Sequence, residues 1–224
     1  ALNCSSIPEG IFESELFGSV KGAFHDAEDK PGKLELANNG TVFFDEIGDM
    51  NLSLQPKLLR FLEHKMLTRL GDTMIKNINV RVLAATNKDL LNMVKEKMFR
   101  HDFYQRLACI KLHIPPLRER KEDIESLTVH FSREESADTN LSKAVLQALK
   151  DYNWKGNLRE LHSVIKRAII FAKSENRNLI QLSDLPAEIV KEAKYNFEDH
   201  VLESLRDKNF SHSAIIETAK ELGS

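Results

Sequence analysis

The sequence predicts an α/β fold, a parallel sheet flanked by helices, followed by a small all-helical domain. Three observations carry that prediction. Between residues 1 and 118, short strand-like runs alternate with helical patterns, the arrangement of a parallel sheet with helical crossovers. The run Thr41-Val42-Phe43-Phe44 is apolar throughout and then drops straight into Asp45 and Glu46, as a strand buried on both faces does where it reaches a ligand site. From about residue 120 to 190 the apolar residues recur only at helical spacing.

Taken in order, ALNCSSI opens the chain as a strand and a glycine-rich segment leads to TVFF. The next helix lies near Gln55 to His64, where Leu54, Leu58 and Leu62 recur every four residues and Pro56 is tolerated in the first turn. NVRVLAATN supplies another strand, a helix follows, and IKLHIPP reads as a last strand before Pro115-Pro116. Beyond it three helical stripes succeed one another: Ile124, Leu127 and Phe131; Leu141, Val145 and Leu149; Leu158, Leu161, Ile165 and Ile169. A further helical pair covers about 197 to 222. The expected domains are residues 1–118, 119–190 and 195–224.

Bulk properties exclude several classes. With 224 residues, 42% hydrophobic and 29% charged, the composition is that of an ordinary globular chain. A net charge of -2 with no long basic stripe argues against nonspecific nucleic-acid binding by the whole chain. No apolar run reaches the length of a membrane span and no secretory leader opens the sequence, so a cytoplasmic location without membrane contact is expected. Cys4 and Cys109 have neither disulfide-framework nor zinc-site spacing.

Two adjacent acids at a strand end cost desolvation energy unless a cation or a reacting water satisfies them, and a magnesium nucleotide would do both. The alternative is a plain turn, with Gly48-Asp49 as punctuation.

The segments SELFGSVKGAF, GKLELANNGTVFFDEIGDM, QPKLLRFLE, RVLAATN, FRHDFYQRL, PPLRERKEDI and WKGNLREL resemble, in order and over about residues 1 to 190, the central AAA+ ATPase domain of bacterial enhancer-binding proteins. Those proteins activate transcription by the sigma-54 RNA polymerase holoenzyme. The resemblance implies an AAA+ sheet, a helical lid and a partial Fis-type helix-turn-helix; ATP and magnesium as cofactors; and self-association into a ring, a hexamer being the family's form, with enhancer DNA bound through a complete carboxy-terminal domain. It makes TVFFDE the Walker B motif, with Asp45 holding magnesium through water and Glu46 polarising the attacking water. Asn3 matches the asparagine that pairs with that glutamate. Thr86 and Asn87 match the γ-phosphate sensor. Arg100 and Arg106 match a pair of arginine fingers that reach a neighbouring subunit's nucleotide. Six helical residues turn about 600°, so the two side chains are expected about 120° apart. Arg159 matches the lid arginine, in the first turn of a helix opened by Asn157 and Glu160 in a capping-box pattern. Phe24 and His25 fall in the loop that touches the sigma factor.

Two departures stand beside the matches. No G-x-x-x-x-G-K-S/T phosphate loop occurs in the 224 residues, so the chain is expected to be a fragment of an ATP-binding parent and to bind ATP weakly by itself. Residues 195 to 224, with a net charge of -3, are expected to stop short of a recognition helix and not to grip DNA. The family's GAFTGA loop reads GAFHDA here, with His25 for Thr and Asp26 for Gly, and an Asp is expected to lose the freedom of Gly to adopt positive φ. Two other readings compete: a catalytically silent DNA-binding regulator that keeps the AAA+ scaffold only for assembly, and another AAA+ machine such as a helicase loader. The retained Glu46 and finger arginines disfavour the first; the SELFG and GNLREL segments disfavour the second.

Overall fold

The computed structural model describes residues 1–5, 9–135 and 140–193. The chain divides into two compact units between Leu112 and His113. The first unit runs β1 (Leu2–Asn3), α1 (Glu9–Phe17), β2 (Gly18–Ser19), β3 (Lys30–Pro31), α2 (Lys33–Leu36), β4 (Thr41–Asp45), a 3-10 turn at Ile47–Asp49, α3 (Gln55–His64), β5 (Met66–Leu67), β6 (Lys76–Asn77), β7 (Arg81–Ala84), α4 (Leu90–Lys95) and α5 (His101–Leu107). β4 is the middle strand of a three-stranded parallel sheet, order β1-β4-β7, with Asn3 beside Asp45 and Phe44 beside Ala84. The expected parallel sheet with helical crossovers is therefore present.

Val42 and Phe44 face a core that includes Leu16, Leu34, Leu58, Phe61, Phe99 and Phe103. Burying each such side chain contributes about 1.5–3 kcal/mol. α3 presents Leu58 and Leu62 to this core with Leu54 at its N-cap, as the four-residue spacing predicts. β4 is not covered on both faces, however: Phe43 is half-buried, its neighbour Leu83 in β7 is exposed, and Thr41 is exposed. The strand expected at IKLHIPP does not form either. Ile110, Leu112 and Ile114 are 84%, 88% and 76% exposed. A strand exists only where its amides find a neighbouring edge, and among the described residues none pairs with this segment.

The second unit contains a 3-10 turn at Leu117–Glu119, α6 (Asp123–Glu135), β8 (Asn140–Leu141), α7 (Lys143–Asp151), α8 (Asn157–Ser174), β9 (Leu179–Ile180) and a 3-10 turn at Leu182–Asp184. Helices α6, α7 and α8 bury Ile124, Val145, Leu149, Leu161, Ile165 and Ile169 around Trp154, whose indole N–H donates to the Leu149 carbonyl at 2.7 Å. Its helical character is as expected, with one correction: β8 and β9 form a short parallel ladder that the apolar spacing did not announce. Arg177 clamps the return, donating to both carboxylate oxygens of buried Asp184 at 2.7 and 2.9 Å and holding that carboxyl below its usual range. The helical pair and helix-turn-helix expected at 195–224 lie outside the described residues.

Candidate functional site

The carboxyl end of β4 is where the chain gathers its acids. Asp45 closes the strand; its carbonyl accepts from the Cys4 amide at 2.9 Å and its carboxylate from the Glu46 amide at 3.1 Å. Glu46 then turns through a left-handed conformation, φ 53 and ψ 48, which costs an ordinary residue about 1–2 kcal/mol. The strain is held from both sides. The Ile47 amide donates to the Ala85 carbonyl at 2.9 Å and the Ala85 amide to the Phe44 carbonyl at 2.8 Å, so the end of β7 is stitched across the turn. Glu46 Oε1 accepts from Asn87 Nδ2 at 3.4 Å, while Oε2 is buried without a hydrogen-bond partner among the described residues. Such an orphaned carboxylate oxygen is expensive in a folded protein unless a bound group completes it. Burial first, and the charges of Asp49, Asp45 and Glu46 after it, push the Cys4 thiol up to about 12.

The structure brings together Asp45, Glu46, Thr86 and Asn87, with Asn3 in register beside Asp45. Asn3 Oδ1 accepts from the Ser5 amide and hydroxyl at 2.9 and 2.7 Å, and Glu46 accepts from Asn87. Thr86 Oγ1 accepts from the Lys88 amide at 3.1 Å, closing a local turn. A cavity of about 290 Å³ lies to one side, lined by Cys4, Phe12, Asp49, Met50 and Leu54; Asp45, Glu46 and Asn87 do not line it.

Arg100 and Arg106, the two arginines expected to act as fingers, are not related as expected. Arg100 precedes α5 as its N-cap, φ -76 and ψ 136, so the helical turn of about 600° between it and Arg106 does not apply. Its amide donates to Gln55 Oε1 at 2.9 Å and its guanidinium grips Asp102 at 2.6 and 3.0 Å. Arg106 Nη2 donates to the Leu62 carbonyl at 3.0 Å. Arg159 lies in the first turn of α8, as expected, but the cap is built differently. Gly156 is the N-cap, and Glu160 Oε2 accepts from its amide at 2.7 Å. Asn157 instead sits at φ 53, and its side-chain Oδ1 accepts from the Leu117 amide at 2.8 Å.

Phe24 and His25 occupy the tip of a hairpin closed by antiparallel β2 and β3. Phe24 is 47% exposed. The Ala27 amide donates to the Phe24 carbonyl at 3.1 Å, making Asp26 the third residue of a turn. Asp26 has φ 59, so the expectation that Asp forfeits positive φ is wrong here: Asp is one of the few side chains that enter this region at modest cost. Arg69, between β5 and β6, donates to both oxygens of Glu35 at 2.8 and 2.9 Å and to Asp29 at 2.7 Å, while Lys76 reaches Glu35 at 2.6 Å. That knot fastens the two hairpins at their bases, and Arg69 and Lys76 hold the Glu35 carboxyl down at about 2.

Sequence reasoning missed one part of the site. Lys88 Nζ pairs with Asp49 Oδ1 at 2.5 Å, across 39 positions that only the β4–β7 register brings together. Opposite charges in IGDM and TNKD were the available signal, and it has no meaning until the strands are known to be neighbours.

Residues 1–113 match the sigma-54 interaction domain family and residues 118–201 the AAA+ ATPase lid domain. The anaerobic nitric oxide reductase transcription regulator NorR of Serratia proteamaculans is 42% identical over 98% of the chain, which spans 46% of that protein. The DNA-binding transcriptional activator HyfR of Escherichia coli is 45% identical over 80% of the chain, spanning 28% of the relative. The crystal structure of NtrX from Brucella abortus in complex with ATP superposes with a TM-score of 0.73 at 28% identity, covering 100% of this chain and 56% of that one. The chain thus spans about half the length, or less, of these relatives.

Proposed function

The chain belongs to the sigma-54 interaction domain family of transcriptional regulators and carries the AAA+ lid, and from that premise we propose that it is part of a ring-forming ATPase that remodels sigma-54 RNA polymerase holoenzyme to activate transcription. One observation carries the catalytic reading: Glu46 sits at the carboxyl end of the middle strand with one oxygen on Asn87 and the other buried and unpartnered. Crystals of NtrX with ATP and with ADP support a nucleotide as the ligand.

The residues present fit a magnesium nucleotide, because the orphaned Glu46 oxygen beside Asp45 is what a cation or a polarised water relieves. Asp45 would hold magnesium, which neutralises phosphate charge when bound. Glu46 accepts the proton of the attacking water, and Asn87 fixes the plane of its carboxylate for that task. Thr86 keeps Asn87 at the end of β7 through its bond with the Lys88 amide. Asn3, beside Asp45, belongs to the same group. Arg100 and Arg106 act on a neighbouring subunit's nucleotide, exchanging Asp102 and the Leu62 carbonyl for phosphate, and Arg159 is the lid's own contribution. Phe24 and His25 are the surface offered to the sigma factor. A hexameric ring and enhancer DNA complete the assembly in the full-length protein, where the phosphate loop is also sought.

The test is Glu46→Gln in the full-length protein. ATP affinity should stay within about threefold while hydrolysis drops on the order of 10²–10⁴-fold, because Gln keeps the size and loses the base. Turnover at the unmodified rate would remove Glu46 from catalysis, and no turnover in either protein would favour the silent scaffold.

A further inference from the structure

Asn87 can orient Glu46 only if the loop that carries it is itself held, and the structure shows how. On its near side the loop is fixed by backbone, through the Ile47 amide on the Ala85 carbonyl. On its far side it rests on Gly48: a Cβ added there would meet Thr86 Oγ1 at 2.9 Å and the Lys88 Cβ and Leu90 Cδ2 at 3.3 Å. No side chain at position 48 separates the 3-10 turn from the loop. Beyond that contact the fastening is the ion pair between Lys88 and Asp49, at 2.5 Å, with side chains 43% and 31% exposed. Asp49 ends the turn that begins beside Glu46, and Lys88 follows Asn87 directly. The pair therefore joins the base's own turn to the loop of the residue that aims it.

Resting on the catalytic reading above, we infer that Asp49 and Lys88 are positioning residues: their ion pair holds Asn87 against Glu46. Neither needs to touch nucleotide. The Asn87–Glu46 bond is long, at 3.4 Å, so a small displacement of the loop breaks it. A pair this exposed contributes little to stability by itself, which separates positioning from folding in the experiment.

Two readouts test this. In the 224-residue chain, the side-chain amide resonances of Asn87 are followed by NMR in Lys88→Ala and Asp49→Asn. They should move toward those of solvent-exposed asparagines, and stay near wild-type positions in Lys88→Arg. In the full-length protein, both disrupting variants should lower kcat about tenfold with KM for ATP within twofold, as loss of an orienting partner does. Lys88→Arg should retain most of the activity, and the exchanged pair Asp49→Lys with Lys88→Asp should recover part of it. Thermal melts confirm that the variants fold. Resonances or kcat left unmoved by both disrupting variants would overturn the proposal. Glu46→Gln, measured alongside, separates this failure from that of the catalytic reading: if that variant turns over normally, the base assignment has failed, and the Asn87 resonances alone then decide whether the latch exists.

Discussion

Glu46 and Asp26 share a left-handed backbone, φ 53 and φ 59, that few residues other than glycine adopt, yet the two regions sustain it by different means. Around Glu46 the chain is pinned on every side: Cys4 on the Asp45 carbonyl, Ile47 on Ala85, Asp49 on the Glu46 carbonyl, and Asn87 on the side chain. Around Asp26 there is one turn bond, from Ala27 to Phe24, and a His25–Asp26 contact of 3.4 Å whose side chains are 97% and 88% exposed. The first conformation is imposed by the sheet on a residue that resists it. The second is supplied by a residue that tolerates it. Strain concentrated where the surroundings over-determine the backbone is what a preorganised site requires, whereas a hairpin tip that presents Phe24 needs only a turn of the right hand.

The comparison breaks hardest at the glycines. Gly48→Ala should destabilise the chain by about 1–3 kcal/mol, because its Cβ drives into Thr86 from a turn with no freedom to retreat. Gly22→Ala, in the hairpin at φ +87 with open space around it, should cost only the left-handed penalty of about 1–2 kcal/mol. Urea melts rank the two. The sharper measure is the Asn87 side-chain resonance, which Gly48→Ala should shift and Gly22→Ala should leave alone. An equal effect of both on that resonance would mean that the two regions are not separately supported.

Much of this was legible in the sequence, and for identifiable reasons. The apolar run into Asp45-Glu46, the Leu54-Leu58-Leu62 spacing and the helical stripes after residue 120 are local signals, and local signals survive folding. What was not legible depends on partners. IKLHIPP has the alternation of a strand but no edge to join among the described residues. Arg100 reads as helical until its carbonyl and φ/ψ place it at the N-cap. Asn157 looks like a cap and is diverted to Leu117, forty residues away. Asp49 and Lys88 are ordinary surface charges until the β4–β7 register puts them together. The error at Asp26 has another source: glycine's advantage at positive φ was treated as exclusive, although Asp shares part of it.

A smaller effect than that of Gly48 is expected from acid. Glu35 anchors the knot of Arg69, Lys76 and Asp29 at the base of the hairpins, and its carboxyl is held at about 2 by Arg69 first and Lys76 after it. A carboxyl depressed in the folded state stabilises fully above its ordinary value of 4.5, and that contribution fades as pH falls through about 2. Urea midpoints of the wild type should therefore decline between pH 5 and pH 2 more steeply than those of Glu35→Gln, which keeps the other depressed carboxyls, such as Asp184, but lacks the contribution of Glu35. Parallel curves would show that the knot contributes nothing to the fold.

The smallest expected effect is that of Asp26→Gly, and it probes the hairpin side of the comparison directly. Glycine removes the left-handed penalty of Asp26, which is already modest for this residue type. Against that gain, glycine widens the unfolded ensemble and costs about 0.4–1 kcal/mol. The two terms oppose and are of similar size, so the urea midpoint should barely move, with a net change within about 0.5 kcal/mol. The turn geometry is unchanged, because φ 59 is open to either residue, and Phe24 keeps its place one turn bond from buried Ala27. Binding of the full-length protein to sigma-54 should accordingly stay within about twofold of wild type, since 1.4 kcal/mol would be needed for a tenfold change. Asp26→Val is the contrasting variant: a β-branched side chain cannot enter this region cheaply, so it should cost about 1–2 kcal/mol and displace Phe24 along with the turn. If Asp26→Gly weakened sigma-54 binding as much as Asp26→Val does, the carboxylate of Asp26 would be part of the contact surface, and the hairpin would present three residues to its partner where the proposed function has only Phe24 and His25.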